Sequence, residues 1–525
     1  MENEFRKRVE SMAQKISRLR TRRDIISTFC FRAIAILTLI MTVIAVVGAV
    51  ISINDKALFF ADNNWLFGLF TPLLILLGAA GLIFFWYKMF KVTEKLSVKK
   101  LNIISGGLFA LFTVICTVMC IFMKVTPKTD SEFIQDMALT MAETGTFEID
   151  TTSAYFQNYS NNDLLTILIS IFFRAMLALG VEDLSQACIW LNGVCIVLGE
   201  IFAYLGIRIM WGPKNACRYL IISVMQPAVY MTVPWAYSNT MCLPFMCGLF
   251  LICTVIYTAK SMVVKGVFAA LYGLVAVVGY FIRPVVMFEA IAFAIFAVFY
   301  FIVNRYTFHQ IAACILAAAV FGGTVFFGVN SVITKYGGDN SRNYPVTHWI
   351  MMGLHRDGTF SGKDSKFTRD LITKKQKTAA HIEEIKNEIN ERGPIGLATL
   401  GAGKICITWS DGSANYYFRD KNYEERNLIT RITVGGGRGY IMLYSQMFRA
   451  ATLLLAAAAM VWIIKKRHLT RTFFPLVTLF GGMLFYLVWE AKESYSIPFL
   501  FIIIIIAITG MERITRYIHN KKRSF

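Results

Sequence analysis

The sequence contains no cysteine framework. None of its 11 cysteines forms a CxxC pair, and nearly all lie inside apolar runs, as Cys116, Cys120, Cys188, Cys195, Cys242 and Cys247 do. Only Cys406 falls in a long polar segment. That usage excludes a disulfide-stapled scaffold and a cysteine-based metal module. His348 and His355, seven apart, could share a helical face, but no third ligand accompanies them. The spacing therefore supports no metal site, and no cofactor is expected. The glycine run Gly435-Gly436-Gly437-Arg438-Gly439 follows no strand and opens no nucleotide-binding unit, so it reads as a flexible loop before a span. No internal repeat is evident, which weakens an inverted-repeat transporter. The apolar run after residue 24 is too long for a signal-peptide core and precedes no small-residue cleavage site, so it reads as an uncleaved first span.

What the chain has in quantity is apolar sequence, 56% of its 525 residues, with a mean hydropathy of +0.56. Runs of about 20 apolar residues recur from end to end, which predicts a polytopic all-α membrane protein. The net charge of +20 would suit a nucleic-acid partner if it were clustered on one surface. Instead Lys and Arg fall in short groups between apolar runs, the positive-inside pattern, so no nucleic-acid partner is expected.

Loop charge orders the chain. A basic tail, residues 1–24, carries Arg6, Lys7, Arg8, Lys15, Arg18, Arg20, Arg22 and Arg23 and is assigned to the cytoplasm. Nine spans are expected within 25–332: 25–53, 65–90, 101–123, 185–210, 218–235, 241–259, 266–282, 285–303 and 308–332. Between the third and fourth lies an outer loop, 124–184. An extracytoplasmic segment, 333–440, precedes three further spans, 441–464, 472–489 and 497–509, within 441–512. A second basic tail, 513–525, closes a chain of twelve spans. Residues 163–180 are barely long enough to cross. Were they to cross, Lys214, Arg218, Lys260 and Lys265 would fall outside, so they read as an interfacial helix. Arg174 in their middle fits that placement.

Residues 127–180 organise the rest. After Pro127-Lys128-Thr129-Asp130-Ser131-Glu132 comes an amphipathic segment, with Phe133, Met137 and Met141 four apart beside Ile134 and Ala138. That spacing makes one apolar stripe, which Glu132, Gln135, Asp136 and Glu143 avoid. Thr129 and Glu132 fit a capping box, which would make Asp130 a first-turn acid favoured by the helix dipole. The same position keeps a carboxylate ionised, as a general base requires, so the structural and catalytic readings of Asp130 coexist. Asp136 and Glu143 read as solvated helix residues. Asn158-Tyr159-Ser160 matches an unspecific glycosylation sequon. Arg283 closes a span in Tyr280-Phe281-Ile282-Arg283-Pro284, where it could bind phosphate or snorkel. Glu490, Lys492 and Glu493 crowd the end of another span, and Glu200 lies within one and needs a partner.

The order of these pieces resembles the membrane glycosyltransferases of the GT-C superfamily, in particular bacterial relatives of the protein O-mannosyltransferases and the lipid A aminoarabinose transferases. In that family an essential Asp follows a span in the first outer loop, and two interfacial helices come after it. Asp130 and the helix behind it match. Tyr155-Phe156-Gln157-Asn158-Tyr159-Ser160-Asn161-Asn162 resembles a tyrosine-phenylalanine…tyrosine-proline-asparagine-asparagine motif, with Ser160 where proline is usual. Pro234-Trp235-Ala236-Tyr237-Ser238-Asn239-Thr240 resembles the second outer motif, with Asn239 in place of an acid. Ile282-Arg283-Pro284, Trp409-Ser410-Asp411-Gly412 and Trp489-Glu490-Ala491-Lys492 resemble later signatures. In the last of these, Glu493 and Ser494 stand where relatives continue with serine or glycine, arginine and tyrosine.

The resemblance implies a polyprenyl-phosphate sugar donor in the lipid bilayer and an acceptor hydroxyl on protein, lipid or cell-wall polymer. Asp130 would be the general base of an inverting transfer. Tyr155, Asn161, Asn162, Tyr237, Arg283, Glu490 and Lys492 would bind substrate and lipid phosphate. A divalent metal shared between the loops is put in doubt by Asn239. The setting expected is a bacterial plasma membrane, with the active site on the extracytoplasmic face. The rival class is a multi-span transporter or flippase of a lipid-linked or anionic solute. It accounts equally for many spans and buried charges, but not for candidate residues gathered on one face.

Overall fold

The computed structural model describes residues 28–51, 65–147, 155–303, 308–338, 343–416, 427–465 and 470–523, which are helical with no strand among them. The basic tail 1–24 lies outside the described residues. The chain opens with α1 (Thr28–Ile51), α2 (Trp65–Glu94) and α3 (Val98–Phe122). Then come α4 (Asp130–Thr144), α5 (Tyr155–Asn158) and α6 (Asp163–Ala178). The long α7 (Leu184–Trp211) leads into α8 (Pro213–Ser223), α9 (Pro227–Met231) and α10 (Ser238–Met241). Four apolar helices follow, α11 (Leu243–Thr258), α12 (Met262–Ile282), α13 (Met287–Val303) and α14 (Phe308–Lys335). A polar segment supplies α15 (Val346–Leu354), α16 (Gly362–Arg369), α17 (Lys374–Ser410) and α18 (Leu428–Thr433). The chain ends with α19 (Arg438–Lys465), α20 (Phe473–Val488) and α21 (Leu500–Arg523).

Ten helical stretches among the described residues are long and apolar enough to cross a membrane, and two shorter apolar ones, Pro284–Phe299 and Phe473–Val488, accompany them. This set differs from the twelve expected spans in two places. Residues 218–235 are not one helix. Proline lacks a backbone donor, and Pro227 starts α9 after a turn at Met225 and Gln226, where the α8 ladder ends. Residues 160–178, expected to lie flat, do qualify by length and composition.

The contacts show what those two stretches do. At one end of the bundle, Arg218 of α8 bonds Glu94 of α2 at 2.6 Å and Glu512 of α21 at 2.8 Å, and Lys214 bonds Glu94 at 2.7 Å. At the other end, Ser131 of α4 donates to the carbonyl of Ala236 at 2.9 Å. The chain from Lys214 to Ala236 thus runs the length of the bundle as two short helices. Residues 163–180 return to the end where they began. They start beside Asn162, next to Tyr155, and run into Asp183, which pairs with Lys124 just past α3. Along the way Arg174 donates to the carbonyls of Met141 (3.1 Å) and Ala142 (3.3 Å) at the end of α4, so α4 and α6 form one packed pair. Glu200 finds its partner in Tyr219, whose hydroxyl donates at 2.9 Å.

The core is centred on α21, whose Ile502 to Ala507 are all buried, as an all-round apolar helix must be. It packs on α19 with almost no space between backbones: a Cβ at Gly510 would lie 1.9 Å from the Leu455 carbonyl oxygen. Small residues permit such close helix contact in membranes, where packing carries the association.

The polar segment is a cap over one end of the bundle. Its longest element, α17, bends at Gly393 (φ 61°) before Pro394. A positive φ suits glycine, and proline cannot continue the ladder behind it. The first half of α17 is polar. The second half packs against α20, and Ser410 at its end donates to the Ala45 carbonyl of α1 at 2.9 Å. The glycine run before α19 is a packed turn, with Gly437 against the Ile432 backbone, and not a loose loop.

Candidate functional site

The eight residues singled out in sequence, Asp130, Tyr155, Asn161, Asn162, Tyr237, Arg283, Glu490 and Lys492, line one cavity of about 370 Å³. They come from five separated segments, each placed by a helix end. Asp130 is the first residue of α4. Tyr155 starts α5, and Asn161 and Asn162 form the 3-10 turn before α6. Tyr237 precedes α10, and Arg283 ends α12 in an extended conformation that the following Pro284 favours. Glu490 and Lys492 follow α20.

The capping box at α4 does not form. Thr129 is the N-cap, but its side chain makes no capping bond and its φ is 56°. Only its carbonyl engages, accepting from Glu132 (3.1 Å) and Phe133 (3.2 Å). A β-branched residue at positive φ costs about 1–3 kcal/mol, and such strain gathers at functional sites. Here it stands immediately before Asp130. The stripe of α4 also shifts. Ile134, Met137, Ala138 and Met141 are buried, but Phe133 is 44% exposed while Gln135 is buried. Phe133 instead stacks on Tyr155 at 4.6 Å, and Gln135 bonds Ser131 and Ser185. Asp136 and Glu143 are exposed. Asn158 is buried, so its sequon is not displayed.

Around Asp130 the donors are phenols. Burial pushes Tyr155 well above the usual range, with the Tyr237 phenol and the Asp130 carboxylate adding to the effect. Tyr237 is pushed up by burial and then by Asp130. Both remain protonated and offer O–H donors. Tyr155 also accepts from the Asn162 amide at 2.8 Å, and Asn161 donates to Asn162 Oδ1 at 3.3 Å, which fixes the two asparagines against the ring.

Two cations line the same cavity. Arg283 donates to Ser238 Oγ at 2.7 Å, and its guanidinium lies 5.3 Å over the Tyr495 ring and 6.0 Å over Tyr237. Neither Arg283 nor Lys492 has a carboxylate within 4 Å among the described residues. Glu490 is 2% exposed and accepts from the Tyr495 hydroxyl at 3.1 Å. Burial pushes its carboxyl up, against the pull of Lys492 and the Tyr495 bond, and Asp130 pushes it further. Two cations without a paired carboxylate, on a cavity that Asp130 and Glu490 also line, suit an anionic ligand such as a phosphate.

The cap completes the site with residues the sequence did not flag. Tyr344 and Trp349 line the cavity, and both pack against Tyr159, at 5.2 and 5.9 Å. The Tyr344 amide donates to the Asn158 carbonyl at 3.1 Å. Tyr159 and Tyr495 also line the cavity; Tyr159 stands inside the polar and aromatic run 155–162, and Tyr495 follows directly on Glu493 and Ser494. Trp349 had no signal of that kind, because nothing in the sequence links α15 to α5. The amide of Ala491 donates to the Gly358 carbonyl at 2.8 Å, which holds the cap on the Glu490 loop, and within the cap buried Lys404 donates to the Gly353 carbonyl at 2.6 Å. Asn239, standing where the resemblance expects an acid, is buried with its Oδ1 unpaired in hydrogen-bond terms.

The paired histidines do not converge. His348 bonds Thr368 at 2.7 Å, Thr368 bonds His381 at 2.9 Å, and His355 bonds Asp364 at 2.9 Å. No group of three or more His, Cys, Asp or Glu residues able to hold a metal occurs among the described residues.

The chain belongs to a family described as conserved hypothetical integral membrane protein, whose family model matches residues 21–515. No curated protein matches it.

Proposed function

We propose that this integral membrane protein is an inverting glycosyltransferase, which moves a sugar from a polyprenyl-phosphate donor to an acceptor hydroxyl on protein, lipid or cell-wall polymer. The observation that carries the reading is the convergence of Asp130 with the cations Arg283 and Lys492 on one cavity at one end of the bundle. The resemblance to GT-C enzymes supplies the reaction class. By the charge of the short loops, the cavity faces the extracytoplasmic side of a bacterial plasma membrane.

In this reaction the acceptor oxygen attacks the anomeric carbon while the bond to the donor phosphate breaks. Asp130 takes the hydroxyl proton, and the departing phosphate keeps the electron pair. Arg283 and Lys492 stabilise the charge that develops there. The Tyr155 and Tyr237 phenols hold Asp130 in place. Glu490 accepts from the Tyr495 hydroxyl and stands beside the two cations.

The test is transfer from polyprenyl-phosphate sugars by the purified chain, guided by comparing cell-surface glycans with and without it. Asp130→Asn keeps the size and much of the capping ability, so protein levels should stay normal. It should lose transfer by about 10²-fold or more, because an amide cannot take the proton. Asp136→Asn, exposed on the same helix, should lose far less. Equal transfer by Asp130→Asn and the parent would overturn the assignment. Solute movement without any glycosylated product would favour the transporter.

A further inference from the structure

A second cavity, about 260 Å³, lies at the opposite end of the bundle among α11, α12, α13 and α14. It is built by a close helix crossing. A Cβ at Gly273 would sit 2.2 Å from the Ala318 carbonyl oxygen and 2.9 Å from the Gly322 amide, so α12 and α14 touch there backbone to backbone. Toward their first turns they part, leaving a cleft that Ala269 and Cys314 line. α13 does not fill it, because that helix packs mainly on α20. The deep end is closed by Tyr272, whose hydroxyl donates to the Ala290 carbonyl at 2.8 Å.

Polarity changes along the cleft. Its walls are apolar, and no acid lines it among the described residues. Its mouth has Lys265 and Gln310, both in first turns. Exposed Lys260 precedes α12, and Arg471 lies 5.8 Å over the ring of Tyr257, another wall residue. An apolar slot with a cationic rim matches one chemistry, a hydrocarbon chain ending in an anion.

We propose that this cleft binds one acyl chain of an anionic membrane phospholipid, with its phosphate at Lys265, in the leaflet opposite the Asp130 cavity. The site is separate from the transfer reaction and does not depend on it. Lys265 lies in the first turn of α12 and Arg283 just past its end, 18 residues and roughly 27 Å apart at about 1.5 Å per residue.

The full chain in lipid nanodiscs of phosphatidylethanolamine tests this, with a trace of phosphatidylglycerol carrying a diazirine midway along one acyl chain. After irradiation, label should concentrate on residues 293–298 and 311–318, and unlabelled phosphatidylglycerol should compete it away. Ala269→Phe fills the slot and should remove that label. If this variant does not fold, Cys314→Phe fills it from the other wall. Lys265→Gln should weaken phosphatidylglycerol labelling about fivefold without moving it, the effect of one surface cation. The proposal fails if outward residues such as Val263 and Phe327 are labelled as strongly as the cleft. It fails equally if filling the slot changes nothing, or if a phosphatidylethanolamine probe labels the cleft as well as phosphatidylglycerol does.

Discussion

Ser131 donates to the Ala236 carbonyl at 2.9 Å, and this bond ties the turn behind Asp130 to the loop that presents Tyr237. Gln135 donates in turn to Ser131 at 3.1 Å and accepts from Ser185 at 3.3 Å. Asp130 and the phenol of Tyr237 are therefore held in register by a chain of polar side chains that does not line the cavity. Ser131→Ala leaves the Ala236 carbonyl without its donor, at a cost of about 1–3 kcal/mol. The variant should melt earlier and lose activity, whereas Ser131→Thr should recover most of both. Thermal unfolding and transfer measured side by side check this. An alanine variant with the parent's melting point would rule out the positioning role.

The cap should respond to acid. Burial holds His348 down to about 3, with His381 and Lys377 adding to the effect, and holds His381 down to about 4. Both are neutral in the fold and ordinary in the unfolded chain, whose histidines titrate near about 6.5. Between about pH 6.5 and 4 the unfolded cap binds more protons, so its stability rises with pH and falls as acid is added. His355 has the opposite sign. Its bond to Asp364 raises it, so its contribution is complete below about pH 6.5 and fades only at higher pH. Asp364 is pulled below its ordinary range by His355, against burial, and matters only below about pH 4. Hydrogen exchange of α15 and α16, corrected for chemical rate, should therefore speed up from pH 6.5 to 4.5. Protection that stays constant over that range would contradict the buried-histidine account.

Orientation can be read with single cysteines, once reactive native ones are replaced. Lys260→Cys should label only from the cytoplasm, and exposed Glu182→Cys only from outside. That pairing follows from loop charge and from residues 163–180 returning to the end where they began. If Glu182→Cys labels from the cytoplasm and Lys260→Cys from outside, residues 163–180 cross the membrane and the assignment of faces falls; if both label from one side, residues 213–236 do not cross.

Much of the site was legible because polar residues at the ends of apolar helices have few reasons to be there. Asp130, Arg283 and Glu490 stood out on that ground alone, and all three line the cavity. The all-α class followed from apolar runs. What was not legible depends on distance in space. Phe133 and Met137 have the same spacing as a true stripe, and only the packing of α4 on α6 decides that Phe133 stacks on Tyr155 while Gln135 turns inward. Thr129 spells a capping box, yet the chain entering α4 forces a positive φ there and breaks it. The break at Pro227 was available in the sequence, but apolar content outweighed it. Trp349 reaches the cavity because the cap folds back over α5, which no local pattern announces.

The two cations should divide their work. Arg283 is anchored, donating to Ser238 at 2.7 Å with its guanidinium over Tyr495, so its charge is held in one place. Lys492 is held by its backbone alone among the described contacts, and its flexible stem can follow a moving charge. If phosphate charge grows as the donor bond breaks, both stabilise the transition state more than the ground state, and kcat should fall more than KM rises. Removing one charged donor from such a site costs about 10²–10³-fold. Arg283→Gln should fall in that range. Arg283→Lys restores charge but not the fork, so it should recover only part of the loss. Lys492→Gln should lose less than Arg283→Gln, and the double variant less than the product of the two, because both act on one phosphate. Steady-state kinetics with a polyprenyl-phosphate sugar decides the matter. A purely KM effect for Arg283→Gln would make it a docking residue only, and full activity in the double variant would remove the lipid phosphate from this cavity.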